Sequence, residues 1–521
     1  MALDEQNRWV KLSQLIPWDE LAGGYHQSLS KQMGRRAKDA RLVIGAVIIK
    51  HKLCLSDRET VRQIQENPYL QYFVGLSGYQ MKAPFAPSLL VDVRKRMGKG
   101  VFEVFEQSVI DAIAKHKGQK ARPSATSGKK GSFDEDDPTD GSGVDQSESA
   151  DSPDEDQSHQ GYLLLDATVA EQAIRYPTDV SLLNEARELS EKIIDHLYPH
   201  TDEPRTYRRK ARAQYLALVK QKRPSGVKRR QAIKQQLQYL RRNLGHIQQL
   251  LDYFPQGTPF PLPGWLLYRY WVIQHVYEQQ WQMYRRNIRR CDDRIVSISQ
   301  PYVRPIKRGK VNKSVEFGAK LSVSMNADGM ACVDEIHWSA QLESKDLPAQ
   351  VERYRQRYGY YPKKVIADPL YGTRSNRVYL KARGIHFAGK PLGRPKQLAE
   401  VHSKALKQQR RKDYLQRIAI EGKFGQGKGG YRLNTIRAKR ADTSYAWINS
   451  IFLVMNLLIL LRIFFEPEFG RWVSAMIQIK QGLLNKTAQI LSQYYFLGQQ
   501  GILIWFPFCN FMSRPCLTKR M

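Results

Sequence analysis

The sequence predicts an α/β chain in which an all-helical N-terminal domain precedes a mixed-sheet core that carries a long helical insertion. Three observations predict it. Residues 1–120 read as helical, with an apolar-rich stretch and a capping signal. Two short apolar runs, 161–166 and 363–368, each end in an aspartate, and alternating segments lie between them. Residues 181–290 switch to a helical run packed with Arg and Lys. At 521 residues the length favours several domains, each able to bury a core.

Taken in order, Ala40 to Lys52 is the apolar-rich helix, and Ser56-Asp-Arg-Glu59 is a capping box opening a helix from Thr60 to Asn67. With Arg62 and Gln63 exposed, this helix-turn-helix could enter a DNA groove or belong to an ordinary helical bundle; the sequence leaves both open. Residues 121–160 are rich in Ser, Gly, Asp and Glu and lack the apolar surface needed to order themselves. A solvated acidic linker is the preferred reading, an autoinhibitory arm competing with DNA the other.

The core, 161–465, opens with Gly161-Tyr-Leu-Leu-Leu-Asp166, a buried strand delivering Asp166 at its end. After an extended Ala173 to Tyr176 comes the insertion, 181–290. Its basic clusters run from Arg205 to Lys210, Lys228 to Arg230 and Tyr239 to Arg242, with Leu216, Leu218, Leu237 and Leu240 as the apolar face. The aromatic cluster from Trp265 to Trp281 offers a stacking surface or a core. Strands are expected at Arg294 to Gln300, Ser314 to Met325 and Met330 to Trp338, with Asn326-Ala-Asp-Gly329 as the last turn. A helix near Pro348 to Tyr358, a strand ending in Asp368, a helix near Ser375 to Arg383 and the run Ile385 to Gly389 complete the sheet.

The chemistry concentrates at Tyr414, Arg417, Glu421 and Lys428, whose offsets of 0, 3, 7 and 14 stack on one helical face. A carboxylate between two cations suits a metal-held phosphodiester: Glu421 as ligand, Arg417 and Lys428 on phosphate oxygens, Tyr414 to hydrogen-bond or stack. Arg417 and Glu421 are equally an ordinary i,i+4 salt bridge. Gly422, Gly425, Gly427, Gly429 and Gly430 could cradle phosphate, and they argue against a continuous helix beyond Glu421, which would put Lys428 on a loop. Asp166 and Asp368 at strand ends are either loop caps or partners of Glu421. As partners, the three could hold two divalent metals about 4 Å apart across an in-line phosphoryl displacement. The element order places all three carboxylates at one end of the sheet.

In these residues the chain resembles bacterial insertion-sequence transposases of the DDE type, in the insertion-sequence-5-like branch with its Y-x2-R-x3-E-x6-K signature. Arg41 to Gly75, Val315 to Lys320 and Phe424 to Lys428 extend the resemblance. It implies an RNase-H-like catalytic core in which Asp166, Asp368 and Glu421 are catalytic and bind two Mg2+ ions, with Mn2+ able to substitute. It further implies that Tyr414, Arg417 and Lys428 contact DNA phosphate. The expected activity is cleavage at transposon ends followed by joining of the 3′ hydroxyl to target DNA, acting as a homodimer on double-stranded terminal inverted repeats and target. A metal-dependent nuclease without strand transfer, or an inactive DNA-binding regulator, are the alternatives.

Charge agrees with a polyanion partner. The chain has 83 Lys and Arg against 50 Asp and Glu, net +33, and residues 131–160 hold acids but no Lys or Arg. The basic residues are spread along helices rather than gathered beside one membrane span. Cys54, Cys291, Cys332, Cys509 and Cys516 are scattered, without CxxC spacing, as expected in a reducing compartment without a structural metal. No secretory h-region follows Asp4 and Glu5, so residence is expected in the cytoplasm, associated with the nucleoid. Tyr445 to Phe465 is long and apolar, but Asn449, Asn456 and Arg462 interrupt it, and it reads as a buried helix rather than a membrane span. His337 and His386 read as core or surface histidines, and Gly393-Arg-Pro-Lys396 as a loop more than a minor-groove hook. The tail, 466–521, carries no assigned role.

Overall fold

The structure, a computed structural model, describes residues 3–29, 37–118, 159–198, 204–254, 259–310, 313–389, 392–393 and 400–463. The acidic linker as far as residue 158, the tail from 466, and Arg394 to Lys396 of the loop lie outside them.

Among the described residues seven helices come first: α1 (Arg8–Leu15), α2 (Trp18–His26), α3 (Ala40–Lys52), α4 (Asp57–Glu66), α5 (Pro68–Phe73), α6 (Leu89–Arg96) and α7 (Lys99–His116). Side chains fix several starts. Asp39 accepts from the Leu42 amide, Ser56 from the Glu59 amide, and Asn67 from the Tyr69 and Leu70 amides ahead of Pro68. The second helix of the pair therefore begins at Asp57, three residues before the expected Thr60. Helix α3 is buried along nearly its whole length, with α2, α4 and α6 packed against it. On α4, Thr60, Val61 and Ile64 face inward and Arg62 outward; Gln63 is half-buried.

The sheet begins with β1 (Tyr162–Glu171). The insertion follows as α8 (Asp179–Leu197), α9 (Arg208–Val219), α10 (Gly226–Asp252) and α11 (Gly264–Arg286). Helices α8, α10 and α11 share one apolar core around Leu183, Ile194, Leu240, Ile247 and Ile273. Leu218, Leu237 and Leu240 are buried as the pattern predicts, whereas Leu216 is exposed. The remaining elements are β2 (Arg304–Lys310), β3 (Lys313–Met325), β4 (Ala331–His337), α12 (Leu347–Tyr358), β5 (Lys364–Ala367), α13 (Arg374–Lys381), β6 (His386–Ala388), α14 (Glu400–Gly430) and α15 (Ala441–Ile463).

Strand order is β2-β3-β1-β5-β6, with β4 also on β3. Strands β1, β3 and β4 pair antiparallel; β1, β5 and β6 pair parallel. Gly318 lets β1 and β3 close up, because a Cβ there would meet the Ala170 carbonyl at 2.0 Å. The Asn326 turn forms as expected, its side chain accepting from the Asp328 and Met330 amides.

One expectation fails here, and one strand was not expected. Arg294 to Gln300 forms no strand: Ile295 and Ile298 instead fill the helical core of the insertion. The strand in that region is β2, whose polar sequence and Pro305 suit only a sheet edge.

Among the described residues α15 is the one helix long and apolar enough to cross a membrane, and most of it is buried within the fold. Asn456 shows why a polar residue sits in it. Its side chain donates to the Ala331 carbonyl at 2.7 Å and accepts from the Ala331 amide at 3.1 Å, joining α15 to β4.

Candidate active site

The site forms where β5 stops. The last parallel pair between β1 and β5 is Leu165 with Ala367, so Asp166 and Asp368 follow at one level of the sheet on adjacent strands. Asp166 does not end its strand as expected; it sits mid-way, because β3 pairs with β1 to Glu171 after β5 has turned away. Ahead of it Leu163, Leu164 and Leu165 are buried, and at Asp166 the strand becomes only half-buried.

Burial pushes the Asp166 carboxyl up to about 6. The Ala167 amide and Arg417 oppose that rise; the Glu343 and Glu421 carboxylates reinforce it. Asp368 caps a short turn, accepting from the Leu370 amide at 3.0 Å. The capping and functional readings of this residue are therefore compatible.

Helix α14 supplies the third carboxylate. It is held to the sheet by Ile420 and Phe424, both buried, and by an ion pair between Asp413 and Lys364 at 2.6 Å. Contrary to the expected break, the helix runs through the glycines to Gly430. At Gly427 a Cβ would stand 3.2 Å from Leu433 and 3.6 Å from Met455, so close packing sets this glycine and overrides its weak helix propensity. Lys428 thus keeps the face of Glu421, about 10 Å further along the axis.

Arg417 links the parts. It meets Glu421 at 2.9 Å and Asp166 at 3.8 Å, and its guanidinium lies 5.8 Å from the Tyr414 ring centre. The i,i+4 salt bridge exists, and it also reaches a different strand. Among the described residues no three His, Cys, Asp or Glu side chains are grouped to hold a metal ion; between Asp166 and Glu421 the cation present is Arg417.

Two neighbours escaped the sequence reading. Glu343, in a short turn after β4, pairs with Lys320 at 2.8 Å and acts on Asp166. Tyr371 is fully buried, and its hydroxyl has no hydrogen-bond partner. Burial, with Glu343, Asp166, Asp346 and Asp368 around it, pushes its ionisation far up. Tyr371 was readable as the aromatic three residues after Asp368. Glu343 lies in an aperiodic loop and gave no signal. His337 pairs with Asp346 at 2.9 Å and His386 is exposed.

On the insertion, Arg229, Arg230, Arg241 and Arg242 are all exposed. Arg242 stacks on Tyr207 at 4.3 Å and Arg230 on Tyr284 at 4.4 Å, which holds both guanidiniums in place. Trp265, Tyr268 and Trp271 are more than half exposed along α11, so the aromatic cluster is partly surface. We expect replacement of the four arginines by Gln to weaken binding to all DNA alike and to flatten its salt dependence. A titration with unchanged affinity and slope would reduce the segment to scaffold.

Comparison with known proteins places these parts. Residues 365–458, which span Asp368 and Glu421, match the family described as a transposase DDE domain. Residues 1–96 match a family described as a transposase domain. An uncharacterised protein from Rhizobium meliloti, ORF8 in the nfe locus, is 39% identical over 108 residues, 20% of this chain and 50% of that protein. The chain thus spans about half the length of this curated relative. No solved structure matches.

Proposed function

We propose that this chain, which carries the two domains of an insertion-sequence DDE transposase, cleaves the ends of a mobile element and joins the freed 3′ hydroxyl to target DNA. One observation supports this most. Asp368 leaves β5 at the level where Asp166 stands within adjacent β1, and Arg417 ties Glu421 to Asp166. The strand order, antiparallel on one side of β1 and parallel on the other, supports reading the core as RNase-H-like.

The donor set is all oxygen, which fits a hard divalent cation. Asp166, Asp368 and Glu421 would hold two Mg2+ ions, or Mn2+ in their place. Such ions supply charge stabilisation and a nucleophile near neutral pH. The protein's own contribution is positional. Arg417 and Lys428 bind phosphate oxygens, Tyr414 stacks or hydrogen-bonds, and β1 and β5 hold the two aspartates at fixed spacing. In each step one P–O bond forms as another breaks, so no nucleotide is consumed. The partners are double-stranded terminal inverted repeats and target DNA, held by a homodimer in the cytoplasm at the nucleoid, with no membrane.

The test uses duplexes ending in the element's own terminal repeats, with Mg2+. Cleavage and joining are expected from the wild type, and Asp368→Ala should lower both by about 10^3-fold or more. Undiminished cleavage by that variant would refute the triad, and cleavage without joining would make the chain a nuclease.

A further inference from the structure

We infer that a cleft between the N-terminal helices and the segment joining α14 to α15 binds a phosphate oxyanion, and that its occupant is a backbone phosphate of the bound DNA. The second half of this inference rests on the DNA reading above.

The cleft encloses about 210 Å³ and is lined by Lys50, Asp57, Arg94, Arg432, Arg437 and Trp447. Two of its cations are buried: Lys50 is 2% exposed and Arg94 7%. They share one carboxylate, Asp57, at 2.9 Å from Lys50 and 2.7 Å from Arg94. Both also lie over the Trp447 ring, at 4.4 and 5.2 Å. Arg432 and Arg437 are exposed at the rim. The remaining polar lining offers no further acid, and His51, buried among cations, is held neutral.

Two buried cations on one carboxylate leave net positive charge in the fold, which is costly unless a further anion matches it. Here Lys50 and Arg94 share Asp57, and Arg432 and Arg437 add two more cations at the rim. Burial first, and then Arg94 and Arg437, disfavour the charge on Lys50 against the pull of Asp57, so a second anion nearby would favour it. Both nitrogens of the Arg94 fork are taken by Asp57, so the rim guanidiniums of Arg432 and Arg437 are the forks left to meet a tetrahedral oxyanion. The two buried cations belong to the matched segment 1–96 and the two rim arginines to the matched segment 365–458. A phosphate bound here would therefore contact both family domains at once.

The test leaves the buried Lys50–Asp57–Arg94 group intact and changes only the exposed rim, in full-length Arg432→Gln/Arg437→Gln, with the double Lys variant as the conservative control. Two measurements are made. The first is the melting temperature in inorganic phosphate against chloride of equal ionic strength. The second is the salt dependence of binding to terminal-repeat duplex. Phosphate should raise the wild-type melting temperature, and the Gln variant should lose that rise while Lys retains part. The Gln variant's slope of log affinity against log salt should be shallower by about 1, the loss of roughly one phosphate contact. Loss of the phosphate effect with an unchanged DNA slope would overturn DNA as the occupant and leave free phosphate. No phosphate effect and identical slopes would overturn the site. If the wild type itself fails to bind DNA, the transposase reading fails, and the melting experiment alone decides whether the cleft takes phosphate.

Discussion

Asp166→Asn should make the free protein more stable at neutral pH while abolishing DNA cleavage. The Asp166 carboxyl stands at about 6 in the fold against an ordinary 3.8, because burial and the carboxylates of Glu343 and Glu421 outweigh the Ala167 amide and Arg417. Its folded value lies above the unfolded one. The side chain therefore opposes folding fully above about pH 6, progressively less between 6 and 3.8, and not at all below. At pH 7 the asparagine variant should gain about 2–3 kcal/mol, a difference that vanishes near pH 3.5. Denaturant titrations at the two pH values check it. A variant no more stable than wild type at pH 7 would mean that Asp166 is a satisfied structural group.

The same shift orders metal dependence. An aspartate must lose its proton to ligate a cation, so wild-type stabilisation by Mg2+ should fade as pH falls through about 6. In Asp166→Asn, Mg2+ should leave the melting temperature unchanged at every pH. A residue whose removal stabilises the fold and destroys activity is retained for chemistry.

What the sequence could and could not reveal follows from where each signal resides. Tyr414, Arg417 and Glu421 share a face because helical spacing is a local property, and Arg417 meets Glu421 as that spacing requires. That Arg417 also reaches Asp166 depends on α14 packing against β1, which no local pattern encodes. The run of glycines after Glu421 argued locally for a stop, yet the helix continues, and at Gly427 the lack of a side chain leaves the room that Leu433 occupies. Arg294 to Gln300 has the apolar content of a strand, yet Ile295 and Ile298 find their partners on helices. β2 hides because an edge strand needs no apolar alternation. Glu343 and the cationic cleft are tertiary assemblies of residues far apart in the chain, and neither leaves a periodic trace.

The largest effect on stability is expected from Arg357→Ala, which should cost about 3–5 kcal/mol. Arg357 lies on α12 and reaches Glu106 of α7 at 3.0 Å and Asp334 of β4 at 2.7 Å, with all three side chains largely removed from solvent. It is the cation that lets a helix of the N-terminal region dock beside the sheet with two acids between them. Burial already raises the Glu106 carboxyl above its usual range despite Arg357, and Asp334 adds to the rise. Without the guanidinium Glu106 must rise further. An acid raised in the fold opposes folding above its folded value and ceases to do so below its unfolded one, so the deficit of Arg357→Ala should be widest at neutral pH and narrow towards pH 4. Adding Glu106→Gln should recover part of it, because one of the two stranded carboxylates is then gone. Urea titrations of the three proteins at pH 7 and pH 4 decide the matter. A loss below about 1 kcal/mol at pH 7, or one that widens on acidification, would place the pair among solvated surface bridges and leave the docking of α7 to apolar contacts such as Phe102 against Tyr445.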